Sequence, residues 1–186
     1  MNIKHVLAIT MLAFTSFAFA DSVTVMVGQQ SAIATGADSN AYRIGYTKTL
    51  TKSLDGDIGV LNTVADSTNK VSARYELGLT GKYKINDFLS GYLRGAVGER
   101  VSGTTNTQWS YYAIEPGAIA TYGDFSGKIG YRYRNAFDTN NLDETNSMRY
   151  SVGYNLTKVD KVNLGYDHVV GDNGFNRTYV SYTRSF

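Results

Sequence analysis

Residues Val71–Ile85 read VSARYELGLTGKYKI. Val71, Ala73, Tyr75, Leu77, Leu79 and Tyr83 fall on one face of an extended chain. Ser72, Arg74, Glu76, Gly78, Thr80, Lys82 and Lys84 fall on the other. Successive side chains of a strand point to opposite faces, so a period of two held this long predicts a strand with one apolar side. The same alternation runs through Phe125–Ala136, where Phe125, Ile129, Tyr131 and Tyr133 oppose Ser126, Lys128, Arg132 and Arg134. It runs again through Trp109–Tyr122, where Tyr112, Ile114 and Ala118 oppose Tyr111, Ala113 and Glu115.

Applied outward from these segments, the test predicts ten strands, at about 22–30, 40–50, 56–64, 71–84, 88–101, 109–122, 125–137, 147–157, 161–170 and 176–186. The third and ninth carry the weakest alternation. Pro116 cannot donate to a ladder, so a bulge or distortion is expected in the sixth. The connectors at 31–39, 65–70, 102–108, 138–146 and 171–175 are long and rich in Asn, Asp, Thr, Ser and Gly. Those near 51–55, 85–87, 123–124 and 158–160 are short. Alternating long loops and short turns between strands of about ten residues describe an antiparallel up-and-down transmembrane β-barrel. The count is about ten, with eight and twelve as the alternatives. An even count puts both termini at the periplasmic end and the long loops outside the cell.

Met1–Ala20 (MNIKHVLAITMLAFTSFAFA) has Lys4 and His5, an apolar run Val6–Phe19 and an A-x-A site at Ala18–Ala20. That is the pattern of a secretory signal peptide. The expected division is a leader at 1–20 and a barrel at 21–186. With 186 residues a single domain is expected. Nineteen Gly, fifteen Tyr and one Pro suit twisted, aromatic strands better than a helical enzyme. Zero Cys excludes disulfides, thiolate metal sites and a Cys nucleophile. A net charge of +2 argues against a nucleic-acid partner.

The bilayer is preferred over a soluble sandwich for two reasons. Aromatic residues cluster near strand ends: Tyr83, Phe88, Tyr122, Phe125 and Tyr154 on the turn side, Trp109, Tyr133, Phe137 and Tyr150 on the loop side. Such rings favour the lipid–water boundary. The chain also closes on YVSYTRSF, with Val180, Tyr182 and Phe186 in one phase. A last strand ending in Phe is the kind of signal a Gram-negative barrel-assembly machinery recognises. The expected surroundings are therefore outer-membrane lipid and lipopolysaccharide, reached by export through the periplasm.

With the apolar face toward lipid, the polar face lines the lumen. It collects Arg43, Arg74, Lys82, Arg94, Arg100, Lys128, Arg132, Arg134, Arg149 and Arg177. Glu76, Glu115 and Asp167 oppose them, with Asp57 a candidate fourth. Ten cations against three carboxylates make a lumen near +7, wrapped by a negative rim. Centring the hairpins places Glu115 opposite Arg94 and Arg132, Arg134 opposite Arg149, and Arg149 opposite Asp167. A salt-bridged plug would be charge-balanced, because unpaired buried charge is costly. The imbalance favours a wetted lumen that attracts small anions. The pore-lining candidates are Arg74, Glu76, Arg94, Glu115, Arg132, Arg134, Arg149 and Asp167. The rival expectation is a filled barrel whose loops contact other surfaces or mediate adhesion.

Catalysis is not expected. His168, the one His after the leader, lies in the outward phase, away from its neighbour Asp167. A nucleophile–base pair needs hydrogen-bond reach. The acidic loop Asp138, Asn140, Asp143, Glu144 lacks the ligand spacing of a calcium loop and reads as a solvated surface. No cofactor or metal is expected.

The stretch IEPGAIATYGDFSGKIGYRYRNAF, followed by an Asn/Asp-rich loop and MRYSVGYNLT, resembles a known family. It is similar to the small monomeric outer-membrane porins for acidic saccharides, the oligogalacturonate and sialic-acid porins. There a proline-glycine strand precedes a Tyr-Arg-Tyr strand, and inward arginines line a narrow anion-selective pore. The likeness covers Ile114–Thr157. It implies pore-lining roles for Arg132 and Arg134, acidic sugars as solutes, and a monomer. Members of that family usually have twelve strands and a longer chain.

Overall fold

The computed structural model describes residues 21–103, 107–138, 140, 141, 143–172 and 174–186. The expected leader at 1–20 lies outside the described residues. Ten strands follow one another: β1 (Ser22–Ala32), β2 (Asp38–Thr51), β3 (Leu54–Ala65), β4 (Val71–Lys84), β5 (Leu89–Ser102), β6 (Thr107–Tyr122), β7 (Phe125–Ala136), β8 (Thr145–Asn155), β9 (Asp160–Gly171) and β10 (Phe175–Ser185). Each pairs antiparallel with its sequence neighbours, and β1 pairs with β10, so the sheet closes into a ten-stranded up-and-down barrel. Closure leaves no unpaired edge, which is what a hydrocarbon surrounding requires of a sheet.

The outward phase is apolar and accessible. Val152, Leu164 and Val180, near mid-height, are 62%, 59% and 52% exposed. Surface of that kind is unfavourable in water and at home in lipid. Rings gather toward the two rims. Phe125 packs on Tyr154 at the turn end (4.9 Å between centroids), and Tyr112 on Phe137 toward the loop end (5.4 Å). Trp109 departs from expectation. It shares the inward phase with Arg100, its ladder partner, and lies under that guanidinium rather than in an outer belt.

Asp21 and Phe186 lie together at the turn end, where the Phe186 N–H donates to the Asp21 carbonyl (3.0 Å). The Asp21 carboxylate ties the start of β1 to the end of β2. It accepts from Lys48 Nζ (2.8 Å) and the Thr49 N–H (2.5 Å), which hold it below its ordinary pKa. The tight turn 123–124 joins the pair Tyr122–Phe125, and Gly123 supplies the φ of +57° that it needs.

Pro116 causes less than expected. Its ladder to β5 is continuous (Leu93–Pro116), while the β6–β7 ladder skips Glu115 and Pro116. Ile114–Tyr133 and Gly117–Gly130 on either side keep the same register, so the gap is a lost rung and not a bulge. The β7–β8 hairpin differs more. Arg134 pairs with Thr145, and Arg149 with Gly130, four residues from the centred register. The loop is not symmetric, because Asp143 turns into the barrel instead of continuing outward. The expected Arg149–Asp167 pairing is present.

The interior is lopsided. Met26, Ala41 and Leu61, with Tyr179 against them, form a small apolar cluster inside β1–β3. The charged side chains concentrate on the opposite wall, on β4–β9.

Candidate functional site in the barrel lumen

All eight predicted candidates point inward. Arg94–Glu115 and Arg149–Asp167 are ladder partners as the sequence expectation had it, but only the second pair is in contact. Their long side chains reach across the lumen and form three clusters.

In the first, Arg94 turns away from its ladder partner Glu115. It binds Asp57 with two nitrogens (2.6 and 3.1 Å) and also meets Glu76 (2.8 Å). Arg132 binds the same Glu76, and the Tyr111 hydroxyl donates to it (2.8 Å). In the second, Glu115 accepts from Arg149 (2.6 Å) and the Tyr92 hydroxyl (2.8 Å), with Lys128 at 3.4 Å. Arg149 also reaches Asp167 (3.3 Å), which Arg177 holds from the other side. The expected contacts of Glu115 with Arg94 and Arg132 are therefore absent. Glu76, Glu115 and Asp167 nonetheless each sit between two cations, the arrangement that satisfies both.

The third cluster was not foreseen. Asp143, read from sequence as part of a solvated loop, is 0% exposed. Its Oδ1 accepts from Arg100 (2.9 Å) and Arg134 (2.7 Å). The sequence did carry a signal: residue 143 lies two before Thr145, in the inward phase of β8. Asp57, the candidate fourth carboxylate, also faces inward. The middle of the lumen thus holds nine cations (Arg43, Arg74, Arg94, Arg100, Lys128, Arg132, Arg134, Arg149, Arg177) and five carboxylates (Asp57, Glu76, Glu115, Asp143, Asp167). The excess is four and not seven, because Asp57 and Asp143 join the acids and Lys82 is neutralised by Asp55 nearer the turn end.

Among the described residues, Arg43 and Arg74 have no carboxylate within 4 Å. Arg43 extends over Gly59, whose missing side chain leaves it room. Arg74 lies 5.9 Å from the Tyr111 ring, and Arg134 lies 5.5 Å from it, so one ring sits between two guanidiniums. The Nε of Arg74 is buried without a hydrogen-bond partner.

Two cavities follow the lumen. One of about 230 Å³ opens at the loop end beside Lys70, Arg74 and Arg100. It has room for several waters or a small solute. A second, of about 40 Å³, lies deeper among Arg43, Arg74, Arg132, Arg134, Arg149 and Arg177. It admits only a few waters. The lumen is thus wide at the loop end and constricted by ion pairs at its middle.

His168 faces outward, with Nδ1 2.7 Å from Asn176 Oδ1, and Asp167 lies on the other face. No group of three or more His, Cys, Asp or Glu is placed to hold a metal among the described residues.

No protein-family model and no curated protein matches the sequence. Among solved structures, the fold is similar to the KdgM porin in complex with disordered oligogalacturonate, at 15% identity and TM-score 0.52, over 89% of this chain and 99% of that one. It is also similar to the NanC porin, at 10% identity and TM-score 0.48, over 88% and 100% of the two chains. The CymD monoaromatic hydrocarbon channel aligns at 15% identity and TM-score 0.45, over 95% of this chain and 59% of that one. At these identities the likeness is one of fold. It agrees with the distant porin resemblance read from Ile114–Thr157.

Proposed function

We propose that this chain is a narrow passive channel of the bacterial outer membrane for small anionic solutes, acidic sugars among them. The observation that carries the reading is the uncompensated positive charge of the lumen. Nine central cations face five carboxylates, and Arg43 and Arg74 have no acid partner beside the two cavities. Fixed cations in a narrow, low-dielectric tube raise the local anion concentration and repel cations. The clusters around Glu76 and Glu115 hold the remaining guanidiniums in place. The same reading places the wall against lipid and lipopolysaccharide, with the strand that ends in Phe186 presented to the assembly machinery. Residues 1–20 serve as the export signal, and the barrel acts as a monomer.

The test removes the unpaired charges and leaves the ion pairs intact. Arg43→Gln with Arg74→Gln halves the excess from four to two. In a planar bilayer under a potassium chloride gradient, the reversal potential of this variant is expected to fall by roughly half toward zero. An unchanged reversal potential sinks the assignment.

A second reading, the filled barrel acting through its loops, is favoured by the near-complete burial of Glu115 (1%), Asp143 (0%) and Asp167 (1%). It predicts no stepwise conductance in the same bilayer.

A further inference from the structure

Asp143 stands between the two cavities. Arg100, one of its partners, lines the wider loop-end cavity, and Arg134, the other, lines the deeper one. The carboxylate does not come from the barrel wall. It arrives on the loop after β7, which is moored to the β9–β10 loop: the Glu144 N–H donates to Asp172 Oδ2 (2.8 Å), and the Asp172 N–H to the Glu144 carbonyl (3.0 Å). Gly171, at φ +111°, gives the chain the bend that brings these segments together.

The fit of Asp143 is incomplete on both sides. One oxygen, Oδ1, takes both guanidiniums, while Oδ2 is buried with no hydrogen-bond partner. Around it, Arg134 Nε, Trp109 Nε1 and the Thr145 hydroxyl are buried without partners as well. These groups are neighbours. Trp109 is the ladder partner of Arg100, whose guanidinium lies 5.1 Å over the indole, and Thr145 is the ladder partner of Arg134. Buried unmade hydrogen bonds are unfavourable, more so beside charge. A structural carboxylate optimised for this place would use both oxygens. The site therefore offers more donors than its resident acid engages.

We propose that Arg100, Arg134, Trp109 and Thr145 form a carboxylate-binding site at the loop-end mouth, and that Asp143 is its internal occupant, displaced when a solute carboxylate enters. The inference rests on the anionic-solute reading and names where such a solute first binds. Exchange of one carboxylate for another leaves the guanidiniums paired throughout, so no buried cation is stripped bare. A solute able to reach Nε of Arg134 and the indole N–H gains bonds that Asp143 leaves unmade. Asp143 thereby sets both the affinity of the mouth and its preference for anions over cations.

Trp109 is the single Trp of the chain and reports on the site directly. The refolded barrel in detergent is titrated with glucuronate at constant ionic strength, with glucose as the neutral control, while indole fluorescence is followed. Glucuronate is expected to change the emission saturably and glucose to leave it unchanged. Asp143→Asn removes the competitor. If the latch is engaged about nine-tenths of the time, half-saturation falls about tenfold. Asp172→Ala loosens the mooring without touching the site and should shift half-saturation in the same direction by less. Asp143→Glu keeps a carboxylate and stays near the parent value. Adding Arg134→Gln to Asp143→Asn abolishes the response.

Equal half-saturation in the parent, Asp143→Asn and Asp172→Ala proteins, or an equal response to glucose, overturns the proposal. Conductance of the same proteins separates this inference from the channel reading. An emission response without current retains the site and removes the channel. Current without an emission response does the opposite.

Discussion

Glu115 shows what a single carboxylate does in this lumen. It accepts from Tyr92 and Arg149, has Lys128 beside it, and is 1% exposed. Glu115→Gln keeps the shape and removes the charge, so two cations lose their common acid. Breaking a buried pair from one side costs about 3–5 kcal/mol, since the partner stays buried and uncompensated. Arg149 keeps Asp167 and Lys128 is partly exposed, so the lower end is expected, about 3 kcal/mol in a urea unfolding midpoint of the folded barrel. Tyr92→Phe removes one neutral donor and is expected to cost about 1 kcal/mol. A Glu115→Gln midpoint within about 0.5 kcal/mol of the parent would mean that water carries these charges and the ion pair does not. Sequence reasoning found Glu115 from its phase and its charge. It did not find Tyr92 as the donor to Glu115, or Tyr111 as the donor to Glu76, because an inward Tyr carries no charge to attract notice.

At the scale of the strand, the inward tyrosines explain the glycines. Tyr92 on β5 lies against Gly117 and Gly130, Tyr111 on β6 against Gly98, and Tyr179 on β10 against Gly165. Glycine weakens a strand unless something must approach its backbone closely, and here the approaching group is an aromatic ring folded flat along the wall. Gly117→Ala would drive a methyl group into the Tyr92 ring and also into the Ile129 carbonyl oxygen, and the backbone cannot step aside. Overpacking of that kind costs about 1–3 kcal/mol. Gly127→Ala meets nothing within 4 Å and should stay within about 0.5 kcal/mol of the parent. The two unfolding midpoints, measured side by side, check the pairing of ring and glycine. Equal midpoints would remove it. Gly117→Ala should also loosen the Tyr92–Glu115 bond and so resemble a mild Tyr92→Phe. The strands themselves were legible to within two residues, β3 and β9 included, because alternation needs only one apolar face. The ring–glycine contacts were not, because they join residues on different strands.

For the molecule as a whole, the decisive property is the inversion of the usual arrangement, with charge inside and hydrocarbon outside. Leu164 sits near mid-height of β9 with its side chain facing out. An arginine at the midplane of a lipid-facing wall costs about 2–4 kcal/mol, and near an interface about 0–1. Leu164→Arg is therefore expected to destabilise the barrel in lipid vesicles by about 3 kcal/mol, and Tyr182→Arg, close to the turn end, by about 1 kcal/mol or less. Equal and negligible effects at the two depths would argue that this wall faces water.

From the sequence alone came the strand number, the faces, the loop and turn ends and the inward arginines. All follow from a period of two, which is local and survives without knowledge of any neighbour. Tertiary structure alone decided which charges meet. Guanidiniums span several ångströms and choose partners across the lumen, so Arg94 takes Asp57 and Glu76 instead of the Glu115 beside it. It also decided that Asp143 belongs to the interior, since a loop residue has no ladder to fix its direction and goes where unpaired cations draw it. The two hairpins that share β6 supplied those cations, by holding β5 and β7 within reach of one carboxylate.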